Sequence, residues 1–324
     1  MWTRRAWMRA ASGAAVAGAL TKTGEAPRAA GQGKDPEGGG HAPLFCLFSK
    51  HLPELGWSDL GRVVKENGFD GVDLTVRPKG HVLPERAAED LPRAVDAIRA
   101  HGLAVPMITT DLTSADVPYA RPLLDAAARS GVRFFKTGYW QYRSSDVRGE
   151  AAAVGGAVAG LAALASTCGI ELGFHNHESY VGAALWDIAP AIDRLDPRWA
   201  GFYFDPRHAV AEGAGGAWKT ATYLVMPRLK MVALKDCLWR KTADGWQIEN
   251  CPLGEGLVDW AWFGARLREA RFRGPISVHL EYDIPGATPA ERIDRTLEAA
   301  RRDLAFARRA LGEGGGSQGA GQEI

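Results

Sequence analysis

The chain alternates two hydrophobic rhythms. Short runs rich in Val, Ile, Leu and Phe alternate with longer stretches whose apolar positions recur every three or four residues. The short runs read as strands: Leu44–Ser49, Gly71–Arg77, Val105–Thr110, Val132–Thr137, Ile170–His177, Ala200–Asp205, Leu229–Lys235 and Pro275–Tyr282. Between them, stretches such as WSDLGRVVKENG, AEDLPRAVDAIRAHG, ALWDIAPAIDRL and DWAWFGARLREARF read as amphipathic helices. Gly68, Gly102, Gly131, Gly169 and Gly274 fall where a left-handed residue closes a helix. A last helix, about Pro289 to Leu311, follows the eighth run.

Eight strand-helix units over roughly 270 residues match a (β/α)8 barrel in count and size, so the fold class expected is α/β, one TIM-barrel domain over 43–311. A doubly wound open sheet is the rival, but no Gly-rich phosphate loop follows the first run.

Within each run the apolar positions fix which face packs on the helices. Ile170, Leu172 and Phe174 form one such face, turning Glu171, Gly173, His175 and His177 inward. The same parity turns Asp73, Thr75 and Arg77 inward, then Tyr203 and Asp205, Ala233 and Lys235, and finally Ser277, His279 and Glu281. His175, His177, Asp205, Glu281, Arg77 and Lys235 should then line one cavity at the carboxyl end of the barrel, where such folds carry their sites.

Two imidazoles and two carboxylates can bind a divalent metal, and with mixed nitrogen and oxygen donors Mn, Co, Zn or Mg are all candidates. A metal there would polarise a carbonyl or bind adjacent hydroxyls. The structural alternative pairs Asp205 and Glu281 with Arg77 and Lys235 as a charged plug. FDPRHAV adds His208 on the loop beyond the sixth strand, suited to substrate contact or proton transfer. RPKGHVLPE sets His81 and Glu85 beside Arg77, and with Lys235 they suggest a cationic rim for an oxyanion, phosphate or sugar hydroxyl. Asp236 reads as a support for its neighbours. The Leu253–Gly256 turn reads as a cover for the mouth, with Glu255 a candidate substrate contact.

The net charge of +1 gives no support for nucleic acid as a partner. Outside the first twenty residues no apolar run is long and uninterrupted enough to cross a bilayer. TRRAWMR followed by a mildly apolar stretch to Leu20 reads as a Tat-type export signal within 1–30, which makes the expected location periplasmic, with no stable membrane anchor after processing. Residues 31–42 read as a disordered linker and 312–324 as a Gly-rich tail. The four cysteines are too few for a disulfide framework. Cys237 and Cys251 flank LWRKTADGWQIEN, whose Asp244-Gly245 signals a hairpin, so they are either a disulfide or two free buried thiols.

GFHNHES, FDPRHA, ALKDC, PLGEG and HLEY, in that order, resemble the sugar phosphate isomerase/epimerase superfamily, the xylose isomerase-like TIM barrels, in an exported subgroup with a His-Asn-His fifth strand. The resemblance covers about 44 to 311. It implies a divalent metal (Mn, Co, Zn or Mg) held by Glu, Asp, His and Glu from the fifth to eighth strands, and proton transfer through an enediol. Carried over, Asp205 and Glu281 match two ligands, and His208 matches the substrate-touching histidine of Asp-x-x-His. Two positions differ from the family pattern: His175 stands at the fifth-strand Glu and Ala233 at the seventh-strand His. The resemblance thus implies metal ligands His175, Asp205 and Glu281, and catalytic candidates His208, Glu281 and Lys235. Arg77, His81, His177, His208, Lys235 and Glu255 are the expected contacts to a small carbohydrate. The expected activity is a metal-dependent sugar isomerase or epimerase, in a chain that could form a homo-oligomer. The alternatives are a lyase or hydrolase cleaving 3-keto-glycosides by the same enolising chemistry, and a non-catalytic sugar-binding barrel.

Overall fold

A computed structural model describes residues 42–312. The expected export signal, the linker up to residue 41 and the tail beyond 312 lie outside the described residues. Eight parallel strands close on themselves: β1 (Phe45–Phe48), β2 (Gly71–Val76), β3 (Ala104–Thr110), β4 (Phe134–Lys136), β5 (Glu171–His175), β6 (Ala200–Phe204), β7 (Leu229–Leu234) and, after an inserted hairpin β8 (Asp236–Thr242) and β9 (Gly245–Cys251), the closing strand β10 (Ile276–Val278). Strand β1 pairs with β2 on one side and β10 on the other, Cys46 facing Ser277 across the seam. Around the barrel run α1 (Trp57–Glu66), α2 (Ala87–Arg99), α3 (Ala120–Arg129), α4 (Val147–Cys168), α5 (Ala189–Ile192), α6 (Pro206–Val225), α7 (Trp260–Glu269) and α8 (Pro289–Leu311). This is the expected TIM barrel.

Alternation along the strands sorts the core into two parts. Leu47, Leu74, Leu172, Phe174, Phe202, Phe204, Val232 and Val278 belong to the large core between strands and helices. Met107, Phe134, Tyr203, Met231 and Ala233 form a separate cluster inside the barrel. Two positions further along the same strand faces come Thr109, Lys136, Asp205 and Lys235, all buried. A period of two thus sets polar groups above an apolar plug. Asp73 ties the two levels together, accepting from Thr109 Oγ1 at 2.8 Å, Ser277 Oγ at 2.8 Å and the Tyr203 hydroxyl at 3.3 Å.

Three local expectations change. ALWDIAPAIDRL yields only the single turn α5, because Gly182 (φ 84°) and Leu185 (φ 64°) turn the chain left-handed just before it. Helix α4 is long and apolar enough to cross a membrane by length and composition, contrary to the sequence reading. Its Val154, Val158, Leu161, Leu164 and Ala165 are nevertheless buried in the barrel core. The hairpin forms, but its register sets Cys237 against Asn250 and Cys251 against Asp236, so both cysteines are free thiols.

Candidate active site at the carboxyl end of the barrel

Strand β6 ends where Asp205, in extended conformation, caps the next helix, and Pro206 supplies a first helical residue that needs no hydrogen-bond acceptor. Helix α6 therefore starts at once. His208 lies in its first turn, not on a loop as expected, and its N–H donates to Asp205 Oδ1 at 3.2 Å. The His-Asn-His run serves the same carboxylate. His175 Nε2 lies 3.4 Å from Asp205 Oδ2, while the Asn176 amide donates to the Asp205 carbonyl at 3.0 Å and accepts from its N–H at 2.8 Å. His177, two residues past the end of β5, packs its ring against His208 with centroids 3.9 Å apart. The Tyr139 hydroxyl meets His175 Nδ1 at 3.0 Å, and the Tyr203 ring stacks on His175 at 4.5 Å.

One donor atom each from His175, Asp205 and His208 lies within 4.8 Å of the others, all three residues buried. Two imidazoles and a carboxylate suit a divalent ion of the Mn, Co, Zn or Mg class. Lys235, however, places Nζ 2.9 Å from Asp205 Oδ2 and 2.8 Å from His208 Nε2. A lysine cation and a divalent ion would compete for those same two atoms. Burial works to raise the pKa of Asp205, but the adjacent Lys235 cation outweighs it and holds the carboxyl well below the usual range. Burial first, then Lys235, holds His208 neutral, and burial pushes His175 down to about 3.

Glu281, expected among the ligands, stands apart from this cluster. Its Oε2 pairs with Lys50 Nζ at 2.7 Å and its Oε1 lies 3.9 Å from His279 Nδ1. Burial raises its pKa, but Lys235 and Lys50 outweigh that and hold it below the usual range. Asn250 of the hairpin reaches the Glu281 carbonyl at 3.2 Å and accepts from Arg207 Nε at 2.8 Å, joining β9 to the end of β10. His279 Nδ1 is buried and, among the described residues, has no hydrogen-bond partner.

Phe48, Lys50, Arg77, Thr109, Lys136, Tyr139, His175, His177, Tyr203, Lys235, His279 and Glu281 line one cavity that opens to solvent, with about 420 Å³ of empty space counting its open mouth. Arg77, His175, Lys235 and Glu281 are thus brought together as the sequence parity suggests, and His177 joins them from the turn after β5; Asp205 and His208, expected there too, are buried and outside the lining. His81 is not. Its Nδ1 lies 3.1 Å from Thr75 Oγ1 and its Nε2 3.1 Å from the Leu52 carbonyl, leaving neither nitrogen for a ligand. Glu85 and Glu255 are exposed and away from the lining. Asp236 anchors the 254–258 loop, which is not part of the lining, accepting from Gly254 N at 3.0 Å, Val258 N at 3.2 Å and Trp260 Nε1 at 2.7 Å.

Sequence reasoning passed over Lys50, Lys136 and Tyr139. Lys136 ends the FFK strand as Lys235 follows MVAL, and the outward Phe135 turns it inward. Lys50 had no such signal, since it belongs to a short 3-10 turn, Ser49–His51, after β1.

A closed parallel barrel whose carboxyl-end side chains converge on a single polar cavity belongs to the (β/α)8 class that carries its sites there. The sequence matches the family model described as xylose isomerase-like TIM barrel over residues 62–309, and the chain belongs to that family. Among solved structures, D-psicose 3-epimerase with D-tagatose from Clostridium cellulolyticum H10 is 14% identical with a TM-score of 0.65, covering 83% of this chain and 99% of that one. A xylose isomerase-like TIM barrel protein from Mycobacterium smegmatis in complex with magnesium is 18% identical with a TM-score of 0.62, covering 85% and 100%. The apo form of 3-keto-D-glucoside 4-epimerase from E. coli is 16% identical with a TM-score of 0.61, covering 82% and 99%. At these identities the likeness is one of fold. No protein of curated function matches the sequence.

Proposed function

We propose that this chain is a sugar isomerase or epimerase that moves a proton between carbons flanking a carbonyl. The observation that carries this reading is the convergence of an ionised carboxylate, Glu281, a cation, Lys235, and the imidazoles of His175, His177 and His279 on one cavity. Epimerases among the solved structures of like fold support it.

In this reading Glu281, held ionised by Lys235 and Lys50, accepts the proton from carbon. Lys235 supplies positive charge for the enediolate oxygen that develops, in a cavity walled by low-dielectric barrel. His208, kept neutral by burial, stands outside the lining with Nε2 against Lys235 and Nδ1 against Arg207, and orients Lys235. Arg77 and His177 line the rim and contact the sugar hydroxyls. His175, Asp205 and His208 would hold a divalent ion of the Mn, Co, Zn or Mg class when Lys235 withdraws. Such an ion, when bound, polarises the carbonyl and acidifies the neighbouring C–H. We also propose export by the Tat-type route, on the twin arginines Arg4 and Arg5, to be read by cell fractionation of the tagged full chain.

The test is proton exchange. Incubation with D-psicose, D-fructose, D-tagatose, 3-keto-glucosides, D-fructose 6-phosphate and D-glucuronate in heavy water should place deuterium beside the carbonyl of at least one, and Glu281→Gln should slow that exchange at least a hundredfold. Exchange with loss of the glycosidic substituent would transfer the chain to the lyase or hydrolase reading. Absence of exchange from every compound, with and without added Mn²⁺, would overturn the enzyme reading in favour of a binding barrel.

A further inference from the structure

Four basic side chains line the cavity, and two of them have no carboxylate of their own. Lys50 is paired with Glu281 and Lys235 with Asp205. Lys136 Nζ lies instead 3.5 Å from the centroid of the Tyr139 ring, and the Arg77 guanidinium carbon sits 5.6 Å from that of Phe48. Among the described residues neither makes a salt bridge, and no acceptor reaches the Lys136 amine. Lys136 is only 1% exposed, yet it points into the cavity from the inward face of β4.

A lone amine in such a place can carry its charge only at an electrostatic cost. The Tyr139 ring softens it through its quadrupole but carries no charge. Asp73 acts only through space, its oxygens being taken by Thr109, Ser277 and Tyr203. Sugar hydroxyls could hydrogen-bond to both groups, but an anion also offsets the Arg77 charge and favours the charged form of the buried Lys136 amine.

We propose that Lys136 and Arg77 form an oxyanion receptor, and that the sugar taken by this cavity carries a carboxylate or phosphate group seated between them. The proposal deepens the reading of the cavity as a sugar site, and rests on that reading for the rest of the ligand. The anion fixes one end of the sugar at β2 and β4, which leaves the opposite wall, Lys235 and Glu281, for the reacting carbons. Burial, and next to it Arg77, holds Lys136 well below the usual lysine range, and a seated anion would oppose both effects.

The experiment is calorimetric titration of the full chain with D-fructose 6-phosphate, D-glucuronate, inorganic phosphate and, as the neutral control, D-fructose. One sugar anion should bind at least tenfold more tightly than D-fructose. Preference for the 6-phosphate together with inorganic phosphate assigns phosphate, and preference for D-glucuronate assigns carboxylate. Lys136→Met should lower affinity for the preferred anion at least tenfold and leave D-fructose unchanged, its fold checked by circular dichroism. If the core variant fails to fold, Arg77→Gln, at the half-buried rim, should lower affinity for the preferred anion at least tenfold more than it lowers affinity for D-fructose, whose hydroxyls Arg77 also contacts. The proposal is overturned if D-fructose binds as tightly as both sugar anions, if none of the four binds, or if the folded variants keep full affinity for the anion. Binding is read without turnover, so a chain that takes the anion but exchanges no proton loses the enzyme reading and keeps the receptor.

Discussion

Lys235 Nζ stands 2.9 Å from Asp205 Oδ2, on the carboxylate oxygen that also faces His175 at 3.4 Å and His208 at 3.6 Å. One side chain thus holds the hub of the only His/Asp/His cluster found among the described residues. Lys235→Met removes the competing cation and keeps the volume, so divalent metal should bind the variant at least tenfold more tightly than wild type, about 1.4 kcal/mol or more. Asp205→Asn should abolish binding in both backgrounds. Elemental mass spectrometry after equilibrium dialysis against Mn²⁺, Co²⁺ and Zn²⁺ reads this directly. Equal affinity in wild type and Lys235→Met would mean that the lysine and the ion occupy different places.

The unpaired Lys136 should also show in stability. With no partner to lose, Lys136→Met exchanges a buried, unpartnered amine for an apolar chain of similar length, and stability should rise by about 1–3 kcal/mol. Urea unfolding of the ligand-free protein measures it. A fall in stability would show that the ammonium is better compensated by Tyr139 and Asp73 than the distances allow.

Acid should destabilise the fold early. His51, whose Nε2 accepts from Leu280 N at 3.0 Å, is pushed by burial to about 4, and burial pushes His175 to about 3. An unfolded histidine titrates near 6.5. Below that pH the unfolded chain takes up protons that the native one refuses, so stability present at neutral pH drains away as pH falls from about 6.5 towards 4. Asp73 works in the opposite sense: burial raises it to about 6, so between about 6 and 4 the native state holds a proton that the unfolded state releases. His51→Gln keeps an acceptor for Leu280 and removes one proton from the balance. It should flatten the slope of unfolding free energy by about 1.4 kcal/mol per pH unit over pH 5–6, read from urea curves. An unchanged slope would mean that His51 is protonated in the native state.

Alternation made the barrel readable. Where a strand has three or more apolar residues on one parity, as in Ile170, Leu172 and Phe174, the opposite face could be assigned without a structure. The method fails on strands too short to alternate. β4 is three residues long, so Lys136 went unassigned, although it is among the most buried charges in the chain. His177 reaches the cavity for a different reason from the one its parity suggested, since β5 stops at His175 and the residue arrives from the following turn. The start of α6 was legible in Asp205-Pro206, a helix cap followed by a residue suited to the first turn, and that signal alone would have moved His208 from loop to helix. Distances between strands were not legible. That Lys235 rather than Arg77 meets Asp205, and Lys50 rather than Lys235 meets Glu281, depends on barrel shear and rotamers that no single strand encodes.

Asp236 gives the sharpest test of how the inserted hairpin is held. The residue is 1% exposed and its carboxylate accepts from Cys237 N at 2.9 Å, Gly254 N at 3.0 Å, Val258 N at 3.2 Å and Trp260 Nε1 at 2.7 Å. A Cβ added at Gly256 would fall 2.1 Å from Asp236 Oδ1, so the loop passes close over the acid with no room for a side chain. Asp236→Ala leaves these donors without an acceptor in a dry pocket and should cost about 3–5 kcal/mol. Asp236→Asn keeps one accepting oxygen but turns an amide on the remaining donors, and should cost about half as much. Because Asn250 on the same hairpin ties Arg207 to the Glu281 carbonyl, loosening the hairpin should also slow turnover. Urea unfolding and limited proteolysis within 238–250 separate the two effects. Faster cleavage there with a modest loss of global stability is the expected pattern for Asp236→Asn, and unchanged cleavage would show that the hairpin is held by its own ladder and not by this carboxylate.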